Sequence, residues 1–137
     1  MKKTKDFQEI EHTADAAVEV WGETIVQLFQ HAAQALYAIA GAKPEGKSIR
    51  TIKQVITLEA ADYESLLVAF LSELLFFLDR DELFMEFQLD ITDQKLKGRL
   101  QGRKVDHQLR EIKAVTFHQL HIQRDAGTLH TILVFDI

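Results

Sequence analysis

Between Leu66 and Leu78 the sequence reads LLVAFLSELLFFL, interrupted only by Ser72 and Glu73. Leu66, Leu67, Phe70, Leu71, Leu74, Leu75 and Leu78 recur at helical spacing, and Phe76 and Phe77 widen the stripe around most of the helix. Asp62 is well placed as the N-cap residue. The run is too short to span a bilayer and carries a carboxylate, so protein rather than lipid has to cover it. An exposed docking surface is the alternative, but it would leave an apolar patch larger than monomers normally show. The segment therefore reads as a central core helix, and the rest of the chain has to supply its cover.

The flanking sequence is suited to that task. Phe7 to Trp21 reads as extended, with Ala17, Val18 and Val20 as its apolar part, and Gly22 breaks it. Thr24 and Gln27 form a capping box, in which two side chains satisfy helix-start amides. Ile25, Leu28, Phe29, Ala32, Leu36 and Ile39 follow on one helical stripe, ending near Ala40 with Gly41 as cap. Thr51 to Glu59 alternates as a strand does, and after the core helix the chain becomes a β series. FMEFQLDI and KLKGRLQGRKV flank an Asp93-Gln94 turn. EIKAVTFHQLHIQR reads as a long strand, and Asp125-Ala126-Gly127 joins it to TLHTILVFDI. Strand, helix, strand, helix and four strands with short connections imply an α+β fold. It is a single domain over residues 1–137, mostly antiparallel sheet with two helices packed on one face.

Composition removes several functions. A formal net charge of −5 excludes a molecule that is basic throughout and leaves only a local basic patch. The absence of cysteine removes thiolate nucleophiles and Cys-based zinc sites, and it is compatible with a reducing compartment. MKKTKDFQEIEH has no apolar segment after its basic start, so no secretory signal is expected. The protein is expected to be soluble and cytoplasmic, with no membrane association.

GAKPEGKS, from Gly41 to Ser48, matches the phosphate-loop pattern G-x-x-x-x-G-K-[ST]. Such a loop needs a strand before it and a helix N-terminus directly after the Lys-Ser, where amides converge on phosphate. Here a helix precedes Gly41 and a strand-like run follows Ser48, while Pro44 removes a donor. The match is a coincidence of a helix cap and a loop, with Lys47 solvated. The six histidines, His12, His31, His107, His118, His121 and His130, lack zinc spacing. His118 and His121, three apart on a strand, would face opposite ways. No catalytic residue is expected, because Ser48, Ser65 and Ser72 lack a nucleophile-elbow setting.

Two acidic positions remain. Asp15, with His12 and Thr13, interrupts a strand-like stretch, and Asp136 stands beside the carboxylate of Ile137. Taken alone, Asp15 reads as a turn residue and Asp136 as a solvated strand end. Together with the Ile137 carboxylate they also form a set of hard oxygen donors, suited to Ca²⁺, Mg²⁺ or Mn²⁺.

EHTAD near the start, G-x-T-x-x-x-L-F at the first helix, IKAVTFH (Ile112 to His118) and terminal VFDI resemble the archease family, in matching order across essentially the whole chain. The resemblance implies a protein cofactor, not an enzyme, that assists transfer-RNA splicing and RNA repair. Its implied partner is an RtcB-type RNA-splicing ligase, which joins 2′,3′-cyclic phosphate or 3′-phosphate ends to 5′-hydroxyl ends. The family member promotes guanylylation of the ligase by GTP and multiple turnover, and meets RNA only indirectly. The resemblance also implies a divalent cation, calcium before magnesium or manganese, held by Asp15, Asp136 and an oxygen of Ile137. Lys113 and His118 match family positions, whereas Ala16-Ala17 stand where the family usually has a glycine, and Asp106 and His107 fall in a segment of different length. The alternative is a general chaperone or adaptor without a dedicated ligase. A metal-dependent hydrolase built on Asp15 and Asp136 is a third reading.

Overall fold

A computed structural model describes residues 6–10, 15–46 and 50–137. The elements in chain order are β1 (Phe7–Ile10), β2 (Ala16–Gly22), α1 (Ile25–Ala40), β3 (Lys43–Pro44), β4 (Ile52–Glu59), α2 (Tyr63–Leu78), β5 (Glu82–Thr92), β6 (Lys95–His107), β7 (Ala114–Thr116), β8 (Gln123–Asp125) and β9 (Thr128–Asp136). Every strand pairing is antiparallel. The α+β architecture with two helices is the one read from the pattern. The strands divide between two sheets. The larger runs β1-β2-β9-β7, with β8 also on β9, and the smaller is built on β6, which pairs with β3, β4 and β5.

Both helices start where their caps dictate. Thr24 Oγ1 accepts from the Gln27 amide at 3.1 Å, and Gln27 Oε1 accepts from the Glu23 amide at 2.8 Å. This is a reciprocal capping box displaced by one residue from the usual register. Asp62 Oδ1 accepts from the Ser65 amide at 2.7 Å, and that hydrogen bond holds its carboxyl below the ordinary range. At the far end of α1, Gly41 takes φ 61, the left-handed cap that glycine adopts without a Cβ penalty.

Helix α2 is covered almost all round. Leu66, Leu67, Phe70, Leu71 and Leu74 are fully buried, and each such side chain contributes about 1.5–3 kcal/mol. Helix α1 touches β1, β2 and β9 of the large sheet and β5 of the small one, while α2 touches β7 and the strands β4, β5 and β6. The helices therefore present core surface to both sheets. Phe70 links the layers, with its ring 5.6 Å from Phe29 on α1 and 6.0 Å from Phe87 on β5. Phe76 is the exception on α2, at 54% exposure, with the Arg80 guanidinium 5.6 Å from its ring centre. No helix among the described residues is long and apolar enough to cross a membrane.

Three expectations need correction. Phe7 to Trp21 is not one strand: β1 folds back on β2, pairing Phe7 with Val20 and Ile10 with Ala17. EIKAVTFHQLHIQR is not one long strand either. β7 and β8 are three residues each, separated by a turn in which Gln119 takes φ 61 and the Leu120 amide donates to the Phe117 carbonyl. His118 and His121 thus lie in a loop, and strand alternation does not set the directions they face. The turns at Asp93-Gln94 and Ala126-Gly127 are as read, each with two successive positive φ values, the arrangement of tight hairpins.

Two positions test the packing. A Cβ on Gly102 would lie 1.8 Å from the Leu83 carbonyl oxygen, where β5 bulges against β6, whereas one on Gly46 meets nothing within 4 Å. Gly102→Ala is expected to cost about 1–3 kcal/mol in urea unfolding, and Gly46→Ala nearly nothing. Separately, burial pushes the Tyr37 phenol well above its ordinary value, and its oxygen accepts from the buried Phe84 amide at 3.2 Å. Above pH of about 10 the unfolded chain ionises at this residue and the folded chain does not, so stability falls as pH rises. Tyr37→Phe should remove that alkaline loss in thermal melts. At neutral pH it should cost about 1–3 kcal/mol, because the Phe84 amide loses an acceptor.

Candidate functional site

The register of the large sheet decides what the two singled-out carboxylates can do. β2 pairs with β9 so that Ala16 faces Phe135 and Ala17 faces Val134. Asp15 precedes Ala16 and Asp136 follows Phe135, so an antiparallel ladder brings both acids to the same end of adjacent strands. Ala16 and Phe135 belong to the core cluster with the helices. Alternation then puts Asp15 and Asp136 on the opposite face, away from the helices. Asp136 is exposed and Asp15 half-buried.

The other flank of Asp136 is also fixed. β7 pairs Ala114 with Asp136, and the Lys113 amide donates to the Asp136 carbonyl at 2.7 Å. Ile137 turns back to the core side, where its side chain packs against the apolar cluster. Any ligand role for it falls to main-chain or terminal oxygen. The candidate donors at this end of the sheet are oxygen: the Asp15 and Asp136 carboxylates and an oxygen of Ile137. That chemistry fits a hard divalent cation, whose charge would offset the repulsion between neighbouring carboxylates.

Among the described residues no three His, Cys, Asp or Glu side chains form a metal cluster. The arrangement rests on two side-chain carboxylates and an Ile137 oxygen. His12 and Thr13 of the EHTAD stretch lie outside the described residues. His31, His107 and His121 are engaged with other groups. His31 lies against the Trp21 carbonyl at 2.6 Å through Nδ1 and against Asp6 at 3.4 Å through Nε2. His107 meets Asp106 at 3.0 Å and His121 meets Glu64 at 3.6 Å, both near the surface.

One residue given no role by the sequence reading helps to hold this end together. Arg110 Nε donates to the Ile39 carbonyl at 2.7 Å, its backbone amide donates to Ala40, and its guanidinium reaches Glu9 at 3.6 Å. It closes the C-terminus of α1, where carbonyls lack partners and a cation is favoured. It also anchors the segment that delivers Lys113 to Asp136. An isolated arginine in a loop carries no sequence signal for such a task.

Against this geometry, the description "Archease protein family (MTH1598/TM1083)" matches residues 7–137. The chain belongs to the archease family. It is 36% identical to the protein archease of Methanosarcina mazei, over 97% of each chain. It is 33% identical to that of Pyrococcus furiosus, over 88% of this chain and 89% of the relative. Among solved structures, an archease of Thermotoga maritima, described as a possible chaperone, superposes with a TM-score of 0.72 at 25% identity. That match covers 100% of this chain and 98% of the other. The solution structure of Methanobacterium thermoautotrophicum protein 1598 gives 0.70 at 26%, covering 96% and 99%.

The GAKPEGKS loop has no phosphate-binding setting in this fold. Gly41 caps α1, Lys43 and Pro44 pair with β6, and β4 begins at Ile52. Among the described residues no helix N-terminus lies between Gly41 and β4, while Lys47 and Ser48 lie outside them. Isothermal titration of the purified protein with GTP should show no tight binding, and a phosphate-release assay no turnover. Robust hydrolysis that is lost in Lys47→Ala would contradict the fold-based assignment.

Proposed function

We propose that this archease is a non-catalytic, metal-carrying cofactor that activates an RtcB-type RNA-splicing ligase in the cytoplasm. It would promote guanylylation of the ligase by GTP and so sustain multiple turnover in transfer-RNA splicing or RNA repair. Family membership supports the class of role. The register of β2 on β9, which carries Asp15 and Asp136 to one end of the sheet, is the observation that carries the metal reading.

Asp15 and Asp136 would hold the cation with an oxygen of Ile137, calcium first and magnesium or manganese as alternatives. When bound, the cation supplies positive charge at an otherwise acidic tip. The chain's own residues do the positioning: Lys113 fixes the Asp136 main chain, and Arg110 fixes the segment before it. Such a tip is suited to a protein partner whose nucleotide pocket is itself built to handle metal and phosphate. RNA chemistry then stays with the ligase.

A chaperone reading has one observation in its favour. Leu109, at 81% exposure, and Phe117, at 59%, present apolar surface on the segments flanking β7. Dispersed exposed apolar residues are common on soluble proteins, so the ligase reading leads.

Calcium titration should give measurable affinity that falls at least about tenfold in Asp15→Asn and in Asp136→Asn, in line with the loss of a charged ligand. Both variants should melt near the parent and fail to stimulate formation of the ligase–guanylate adduct from labelled GTP. Full stimulation by both would sink the proposed centre. Suppression of client aggregation without any effect on adduct formation would favour the chaperone reading.

A further inference from the structure

The outer face of the small sheet has no part in the proposed metal centre, and its composition is unusual for this chain. From Lys95 to Gly102, β6 alternates strictly: Leu96, Gly98, Leu100 and Gly102 are buried, and Lys95, Lys97, Arg99 and Gln101 are exposed. Five of the chain's 16 lysines and arginines fall on this strand, at Lys95, Lys97, Arg99, Arg103 and Lys104, with Asp106 as its one acid. The molecule as a whole carries −5. Positive charge is therefore concentrated on the central strand of one sheet while the remainder is acidic.

Within that row Lys95 faces Glu59 and Lys97 faces Asp90, and only Arg99 has uncharged neighbours on both sides. Arg99 lies between Val55 on β4 and Gln88 on β5, and Lys53 stands across from Gln101. Glu59, Asp90 and Glu86 border the row on the flanking strands. Among the described residues, none of Lys53, Lys95, Lys97 and Arg99 is engaged in an ion pair. Two open clefts of about 290 and 460 Å³ meet on this face, and Val55, Gln88 and Arg99 line both.

The spacing and the composition select the occupant. Same-face residues on a strand recur every ~6.8 Å, so Lys95, Lys97 and Arg99 form a line of cations with that repeat. A stacked nucleic-acid strand rises about 3.4 Å per nucleotide, and an unstacked one extends far enough to match the protein repeat. A protein partner would need an apolar or aromatic centre and a face depleted in lysine. This face has no exposed aromatic ring. Val55, at 74% exposure, is the large apolar side chain at its middle. We propose that the outer face of β4, β5 and β6 binds the phosphate backbone of a single-stranded nucleic acid through Lys95, Lys97 and Arg99. With no ring for bases to stack on, the contact is independent of sequence, and the bordering acids keep it weak and salt-sensitive. This goes beyond the ligase-cofactor reading and stands without it. It adds a direct contact where the net charge suggests none.

Fluorescence anisotropy with a labelled oligouridylate, in the absence of any ligase, tests the proposal. Engagement of three phosphates predicts a log–log salt slope of about −2, or roughly 20-fold weaker binding from about 50 to 200 mM salt. The double variant Lys97→Gln/Arg99→Gln should weaken binding at the lower salt at least about tenfold and flatten the slope toward about −0.7. Its melting temperature and calcium titration should match the parent, and Arg124→Gln on β8 should bind as the parent does. Absence of binding at low salt would overturn the proposal, as would binding that the double variant leaves intact. If the oligonucleotide does not bind but the double variant weakens association with RNA-free ligase, the face is a site for an acidic protein and the proposal is likewise overturned.

Discussion

Helix α2 has almost no side that water can wet, and the fold is organised around that constraint. With Leu66, Leu67, Phe70, Leu71 and Leu74 all removed from solvent, neither sheet alone could cover it. Strands from both therefore close over the helices. The small sheet contributes the inner row Leu96, Gly98, Leu100 and Gly102, where Gly98 leaves room for Leu89 and Ile56 and Gly102 lets the β5 bulge come close. Phe70 between Phe29 and Phe87, and Phe77 against Phe84 at 5.4 Å, knit the layers with tilted and edge-on ring contacts. Each such pair is worth about 0.5–1.5 kcal/mol beyond the area it buries.

Burying one face of each sheet fixes strand register, and register in turn sets the chemistry on the outer faces. A slip of one residue between β2 and β9 would turn Val18, Val20, Leu133 and Phe135 out of the core. The same slip would separate Asp15 from Asp136. The core thus specifies the acidic pair without touching it. On the small sheet the same alternation that buries Leu96 and Leu100 lines up Lys95, Lys97 and Arg99 outside. Both candidate surfaces are the solvent-facing counterparts of the packing around α2.

The parts of the fold that were legible in the sequence are those governed by local chemistry. Thr24 and Asp62 announce helix starts because their side chains bond amides three residues away. Gly41 announces a helix end, and the order of helix and strand around it exposes the phosphate-loop pattern as accidental. The run from Glu111 to Arg124 was misread because Gln119 takes a left-handed conformation with no glycine to signal it. Arg110 was missed because its partners, Ile39, Ala40 and Glu9, are distant in sequence. Asp15 and Asp136 stood out as hard oxygen donors, but only the resemblance to archeases favoured them as a shared site, since their spacing along the chain says nothing of their proximity.

The sequence by itself determined the two helices, the burial of the second and the family, because caps, periodicity and motif order are local or linear properties. Only the tertiary structure decided that the strands part into two sheets. It also decided that Asp15 and Asp136 lie at one end of adjacent strands, and that the strand carrying five cations of an acidic chain is the central one of its sheet. Those are matters of register and topology, set when the two sheets close over α2. No short window of residues records which strand will lie beside which.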